Sequence, residues 1–370
     1  MVQATIRRRL SALRERRDVN QADLATVLGF NDRQTLSEIE LGRRNVAPAE
    51  LARAAEFFNV SVDYFTDPLE LAGEACFSWR KSPNDKDDLE SFENQAGRWI
   101  ATYRHLSRLK GDSINSSLTR VGLTIKSSFE EAIDEGDAVS RALELGDIPA
   151  TTLTSVLEEK LDTLVLLVDT IAGVSGAACQ LGPLNTIIIN RREAEGRRSF
   201  DMGHELFHLI TWVEMPPPHI DGNGDSPPHQ KRVEQLANSF SSGLLMPRHA
   251  VQNYVGKFPI PDSEDQYPTW IRTAASHFHV SGQALKWRLV TLNMISRAAC
   301  SRIDDAALQV DPQDGMMLPA RFSNRFVSIL GWGIEEGHLS VRKAADVAGV
   351  TVDDLADLFS EHGLKTPFDL

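Results

Sequence analysis

The sequence predicts a mainly α chain with one small β-sheet, an α+β fold, and three observations carry that expectation. Residues 6–65 break into five short helical patterns; between 164 and 190 the apolar period shortens from helical to alternating; and Gly203-His204-Glu205-Leu206-Phe207-His208-Leu209-Ile210 sets an HExxH motif in an amphipathic helix. At 370 residues with 42% hydrophobic content the chain is expected to form roughly two to four domains, each with a real core. The expected division is a five-helix head at 1–68, a linker with connecting helices at 69–130, a body around the HExxH helix at 131–300, and a C-terminal helical unit at 301–370.

Composition narrows the setting. Cys76, Cys179 and Cys300 are odd in number, far apart and form no CxxC pair, which predicts a reducing cytoplasm without disulfides or a thiolate metal site. The N-terminus carries no apolar run of signal-peptide length, and no stretch approaches the roughly 18 apolar residues that a membrane helix needs. A net charge of −13 argues against general nucleic-acid affinity. Residues 1–17 depart from that balance, with six arginines against the single acid Glu15.

In the head, Ile6, Leu10 and Leu13 mark a first helix with its arginines outside. A second, 21–28, is closed by Gly29, which suits a left-handed cap. Asn31 or Asp32 can cap a third, 33–40, whose Leu36 and Ile39 point inward while Arg33, Gln34, Thr35 and Ser37 point out. Leu51, Ala54, Ala55 and Phe58 mark a fourth, and Val62 with Phe65 a fifth. Two short helices joined by Gly29-Phe30-Asn31 have the geometry that lets a second helix enter a major groove; a helical bundle used for protein contacts fits the spacing equally.

The wording of this segment resembles the XRE (Cro/CI-like) helix-turn-helix family over some 60 residues, through Arg9-Leu10, Gln21-Ala22-Asp23-Leu24-Ala25, Leu28-Gly29, Leu36-Ser37-Glu38-Ile39-Glu40, Gly42-Arg43-Arg44 and Leu51-Ala52. The resemblance implies a double-stranded DNA operator read by a homodimer. It implies base contacts from Arg33, Gln34 and Thr35, with Gln21, Ser37 and Arg43 near phosphates. Asp32 departs from the pattern and is compatible with phosphate only if its carboxylate is used as a cap.

From 68 to about 115 the chain turns polar, and Pro83 to Asp88 breaks any helix, so an exposed linker is expected. Trp99, Ile100, Tyr103 and Leu106 restore helical spacing over 93–109, and amphipathic helices follow at 129–145 and 153–161. Residues 164–168, 176–181 and 186–190 read as strands of a compact meander. Ile187, Ile188, Ile189 and Asn190, arriving just before the HExxH helix, suit either a buried strand or an edge that pairs with an extended substrate.

His204 and His208 are one helical turn apart and face the same way, as a shared cation requires, and Glu205 sits where it can accept a proton from water. The third ligand must lie downstream. His219, Asp221, Asp225 and His229 fall in a Pro/Gly-rich loop that holds ligands loosely. Glu234 opens a helix over 233–245, the gluzincin arrangement, though a surface Glu in a first helical turn is the commoner outcome of that spacing.

A second resemblance is to the ImmA/IrrE metallopeptidases, through Gly176, Ile187-Ile188-Ile189-Asn190, Arg198-Ser199-Phe200, Gly203 to His208, Glu234 to Phe240 and Leu244-Leu245-Met246-Pro247, over roughly 132–294. It implies Zn2+ on His204, His208 and Glu234, with Glu205 as catalytic base and a protein substrate. Phe207 departs from the family's usual small residue and would narrow the cleft floor; the insertion from Met215 to Pro228 would act as a lid. The tail again looks helix-turn-helix-like at 344–359 but lacks an arginine cluster, which favours packing or dimerisation. The combined expectation is a cytoplasmic, membrane-free regulator that binds DNA and cleaves a specific regulatory protein. The rival readings are a transcription factor whose peptidase-like domain only senses a ligand or partner, and an antitoxin-like module.

Overall fold

The computed structural model describes residues 2–71, 73–80, 86–112, 114, 118, 120–221, 227–309 and 318–369. The chain is mainly helical with one five-stranded sheet. Its head is a bundle of α1 (Val2–Arg16), α2 (Gln21–Leu28), α3 (Arg33–Glu40), α4 (Pro48–Phe58) and α5 (Asp63–Thr66). Asn20 caps α2 by accepting from Asp23 N, and Gly29 closes it at φ +83°. Asp32 accepts from Thr35 N at 3.0 Å, so its carboxylate is used as the cap of α3. Leu10, Leu24, Leu28, Leu36, Ile39 and Phe65 are wholly buried and form the head's own core.

The head does not hang on a linker. Arg9 of α1 is fully buried and donates to the carbonyls of Tyr64 and Asp67 at 3.0 and 2.8 Å and to that of Glu70. Glu74 is the hub beyond: its carboxylate accepts from Arg9, from Arg8 and from Arg104 of the next long helix. Of the residues expected to be an exposed linker, 76–80 form β1 (Cys76–Arg80) and 86–92 begin α6 (Lys86–Lys110), which runs on through the helix expected over 93–109. Trp99, Ile100 and Leu106 are buried on one face of α6, as their spacing predicts. Of the Pro83–Asp88 stretch expected to break any helix, residues 83–85 lie outside the described residues and 86–88 start α6; parts of 113–119 also lie outside.

After α7 (Phe129–Ala142) and α8 (Pro149–Glu159) come β2 (Thr163–Val168), β3 (Gly176–Leu181) and β4 (Leu184–Asn190). They do not make a meander. The order is β2-β4-β3-β1-β5, with β5 (Ile220–Asp221) on the far edge. β3 and β4 are a hairpin whose two-residue turn uses Gly182 at φ +62°, and β4 then pairs in parallel with β2. Near-continuous apolar strands are the mark of a sheet covered on both faces. Val165, Ala178, Ile187 and Ile189 enter one core, and Leu164, Leu166, Ala177, Cys179 and Ile188 the other.

One covering layer holds α7, α8, α9 (Glu195–Thr211) and α10 (Pro228–Leu245), extended by α11 (Arg248–Lys257), α12 (Tyr267–Phe278), α13 (Gly282–Thr291) and α14 (Arg297–Arg302). The opposite layer is α6 with α15 (Asn324–Glu335), α16 (Val341–Ala348) and α17 (Val352–Glu361). The tail expected to be a separate unit therefore shares a core with β1 and α6: Trp99 Nε1 donates to Val347 O at 2.9 Å and stacks edge-on against Phe322. Its helix-turn-helix-like spacing serves packing.

Two expected outcomes test this packing. An added methyl at Gly243 of α10 would stand 2.0 Å from Ile133 O of α7, and one at Gly136 of α7 would stand 2.1 Å from Phe240 O. Gly243→Ala should therefore destabilise the protein by about 3 kcal/mol, read as a lowered urea midpoint. Glu158, at the end of α8, accepts from Val165 N at 3.2 Å, and burial pushes its carboxyl up to about 7. A carboxyl raised on folding contributes its full stability below its ordinary value and loses it as pH rises through the raised one. Between pH 4.5 and 8 the wild type should lose up to about 3 kcal/mol that Glu158→Gln retains, measured as the difference of their unfolding free energies across that range.

Candidate metal centre

α9 lies between the sheet and α10, and residues 201–211 are buried along its whole circumference. That is an unusual place for ionisable groups, and it holds four. His204, Glu205 and His208 are each at most 2% exposed. Glu234 reaches in from α10, placing Oε2 2.8 Å from His204 Nε2 and Oε1 3.3 Å from His208 Nε2, while the two Nε2 atoms are 3.1 Å apart. A methyl at Gly203 would already press on Leu244 and Ser241 of α10, which shows how closely the two helices run.

Protonation follows from the surroundings. Burial, then the nearby Arg80 charge, brings His204 down to about 3, so its ring is neutral. Asn238, one turn beyond Glu234, turns Oδ1 to His204 Nδ1 at 3.0 Å, which places the single ring proton on Nδ1. In that tautomer the Nε2 lone pair is the one a cation would take, with Glu234 as its neighbouring ligand. Burial works to raise the Glu234 carboxyl, but His204 and His208 outweigh it and hold it well below the usual carboxylate range. Two imidazole nitrogens and an ionised carboxylate thus converge, and these three residues are the cluster of metal-ligating type among the described residues. The set fits zinc, whose tetrahedral ligands at about 2.1 Å would stand roughly 3.3 Å apart and leave a fourth position open.

Glu205 is different in kind. Burial raises its carboxyl to about 8, and its Oε1 makes no hydrogen bond among the described residues. Gly176 of β3 lies over it; a methyl there would come within 3.7 Å of Glu205 Cγ. Two further residues were not singled out by the sequence. Asn238 had a signal, its four-residue spacing from Glu234. Arg80 had none: it comes from β1 and pairs with Asp201, which precedes His204 by three residues on α9. Both Arg80 and Asp201 line a cavity of about 550 Å³ that also reaches Asn238, Phe200 and Trp287.

The other expectations fall as follows. His219 pairs with Glu93 at 2.6 Å, and Asp221 pairs with Arg80 along β5 and β1. His229 lies in the first turn of α10, which begins at Pro228, earlier than expected; Asp225 lies, with the rest of 222–226 in the expected lid, outside the described residues. Ile187, Ile188, Ile189 and Asn190 are not an edge: β4 is paired by β2 on one side and β3 on the other, so its backbone has no free side for a substrate. Phe207 does not floor a cleft; it is fully buried with its ring 5.6 Å from that of Phe240.

In the head, Arg33 and Gln34 are exposed on α3, while Thr35 and Ser37 are half-buried. Gln21 donates to Glu40 at 2.6 Å and Arg43 to Glu38 at 3.1 Å, so both are held by neighbouring acids. Among the described residues the ion pairs from α1 to the body use Arg8, Arg9 and Arg16, and α3 takes no part in them.

A short-helix head with an exposed second helix, joined to a body that buries an HExxH cluster beneath a small sheet, defines a helix-turn-helix protein with a metallopeptidase-type domain. Residues 10–65 match the helix-turn-helix family model and residues 164–290 that of the IrrE N-terminal-like domain. The chain thus carries one segment similar to an XRE-type helix-turn-helix and, after it, one similar to an IrrE/ImmA-like peptidase domain. No curated protein and no solved structure matches it. Arg80, α6 and the C-terminal helices lie outside both matched segments.

Asn238→Ala should lower zinc affinity about 10- to 100-fold by freeing the His204 ring, with the fold intact; competition with a zinc chelator measures it.

Proposed function

We propose that this protein is a DNA-binding transcriptional regulator whose zinc peptidase domain cleaves a specific regulatory protein. The observation that carries the catalytic half is Glu205, a buried carboxylate with an uncommitted oxygen beside a three-donor cluster. A domain that only sensed a ligand would have no use for it. His204, His208 and Glu234 would hold the zinc, which supplies Lewis-acid polarisation of the scissile carbonyl and acidifies water from a pKa of about 16 to about 7. Glu205, ionised once the cation's charge stands beside it, would take the proton from the attacking water and deliver it to the departing amine nitrogen. Asn238 keeps His204 in the tautomer that presents Nε2.

In the regulatory half, α3 enters the major groove, with Arg33, Gln34 and Thr35 at base edges and Ser37 near phosphate. Gln21 and Arg43 reach phosphate by exchanging Glu40 and Glu38 for it. A homodimer on an inverted repeat suits the head's small footprint. The free thiols of Cys76, Cys179 and Cys300 suit a reducing cytoplasm, and no helix among the described residues is long and apolar enough to cross a membrane.

The two halves are tested separately. Glu205→Gln should keep one zinc per chain and lose about 100-fold or more in turnover; equal turnover of the two proteins on a co-expressed candidate regulator removes Glu205 as the base. Arg33→Ala should relax operator preference by about 1–3 kcal/mol with a nearly unchanged salt slope, and a footprint that keeps its sequence preference removes α3 as the reading helix.

A further inference from the structure

The cavity beside the metal cluster carries a charge pattern that the rest of the chain does not predict. The protein has a net charge of −13. Among the described residues the charged side chains lining this cavity are nonetheless two guanidiniums, Arg80 and Arg197, and one carboxylate, Asp201. They are layered. The Asp201 side chain is 2% exposed and forms the floor, whereas those of Arg80 and Arg197 are 20% and 48% exposed. Asp201 Oδ1 accepts from Arg80 Nη1, and its Oδ2 has Arg197 Nε as a cation at 3.8 Å. The buried acid therefore orients Arg80 without covering it, and the one side-chain hydrogen bond it makes among the described residues uses one of five guanidinium donors. Arg197 sits further out, where it also meets Glu193 at 3.5 Å and Ser175 Oγ at 3.3 Å, so Arg80 is the cation committed to the interior.

The walls agree with that sign. The first turn of α13, a ten-residue helix capped by Ser281, contributes Ser281, Gln283 and Ala284, and a helix N-terminus favours negative charge. Phe200 and Trp287 add apolar surface that can cover methylenes. The cavity also reaches Asn238, the residue bonded to His204, so its wall lies one residue away from the proposed ligand set. We infer that the cavity is a specificity pocket for a substrate residue with an acidic side chain next to the scissile bond, and that Arg80 is the residue that selects it. The inference rests on the peptidase reading and adds the substrate class to it.

The test uses the full-length zinc-loaded protein and small hydroxamates, whose zinc-binding group makes turnover unnecessary. Acetohydroxamate reports the metal alone. Glutamyl, leucyl and lysyl hydroxamates, prepared with the side chain before or after the zinc-binding group, report the pocket. In one orientation the glutamyl compound should bind the wild type about tenfold more tightly than the lysyl compound. Arg80→Ala should erase that preference and Arg80→Lys should keep part of it, each affinity being taken relative to the same variant's acetohydroxamate affinity, which carries any change at the metal.

Arg80→Ala leaves a buried acid unpaired, so Ala284→Glu serves as a second variant, since an acid at the third position of α13 is compatible with the helix. It should reverse the preference toward the lysyl compound. Equal binding of glutamyl and lysyl compounds by the wild type in both orientations overturns the inference alone, as does a glutamyl preference that survives Arg80→Ala or Ala284→Glu. A protein that binds no acetohydroxamate loses the metal reading and this inference together.

Discussion

The crossing of α7 on α10 is the constraint on which the rest of the site depends. Gly136 and Gly243 let two helix backbones meet with no room for a methyl group on either side. That contact sets the depth of α10, and α10 carries both Glu234 and Asn238 at a four-residue spacing. Were the helices separated by the width of a side chain, Glu234 would stand well beyond ligand distance of His204 and His208. Interiors packed to crystal-like density transmit such displacements instead of absorbing them. The buried pair of Asp137 and Arg288, with Arg288 Nε donating to Met246 O at 2.8 Å, holds the far end of the same helix.

Burial does the remaining electrical work. Removing His204, His208, Glu205 and Glu234 from water keeps the His204 imidazole neutral and holds a proton on Glu205 until something displaces it. Such a cluster is costly to fold around unless its groups hydrogen-bond to one another or share a ligand. Arg80 and Asp201 extend this polar interior toward the cavity, and they belong to elements almost 120 residues apart.

The head is joined to the body by an interior arginine and a shared carboxylate. Arg9 satisfies three carbonyls in the segment leaving α5, and Glu74 gathers Arg8, Arg9 and Arg104. These groups hold the Glu74 carboxyl below the ordinary range against the opposing effect of its burial. α3 faces away from this junction in its ion pairing, so the contact that orients the head does not use the residues that would read DNA.

Much of this was legible in the chain. Helical spacing marked α2 and α3 to the residue, Gly29 and Asp32 marked their ends, and the histidine spacing with a carboxylate opening the next helix marked the cluster, because local periodicity and capping are properties of neighbouring residues. Sheet order was not legible: a strand that is apolar on both faces carries no information about which neighbour it pairs with, so β4 read as a possible edge when it is interior. Spacing did show a helix over 93–109 and helices in the tail, but not that 76–80 form a strand or which core these helices enter, since the partner of an apolar face is not written in its own period. The sequence by itself determined the local elements and the chemistry of the ligand set. Only the tertiary structure decided that β1, α6 and the C-terminal helices close the second core, and that Arg80 arrives beside His204 and Glu205, because long-range contacts depend on packing that no periodicity records.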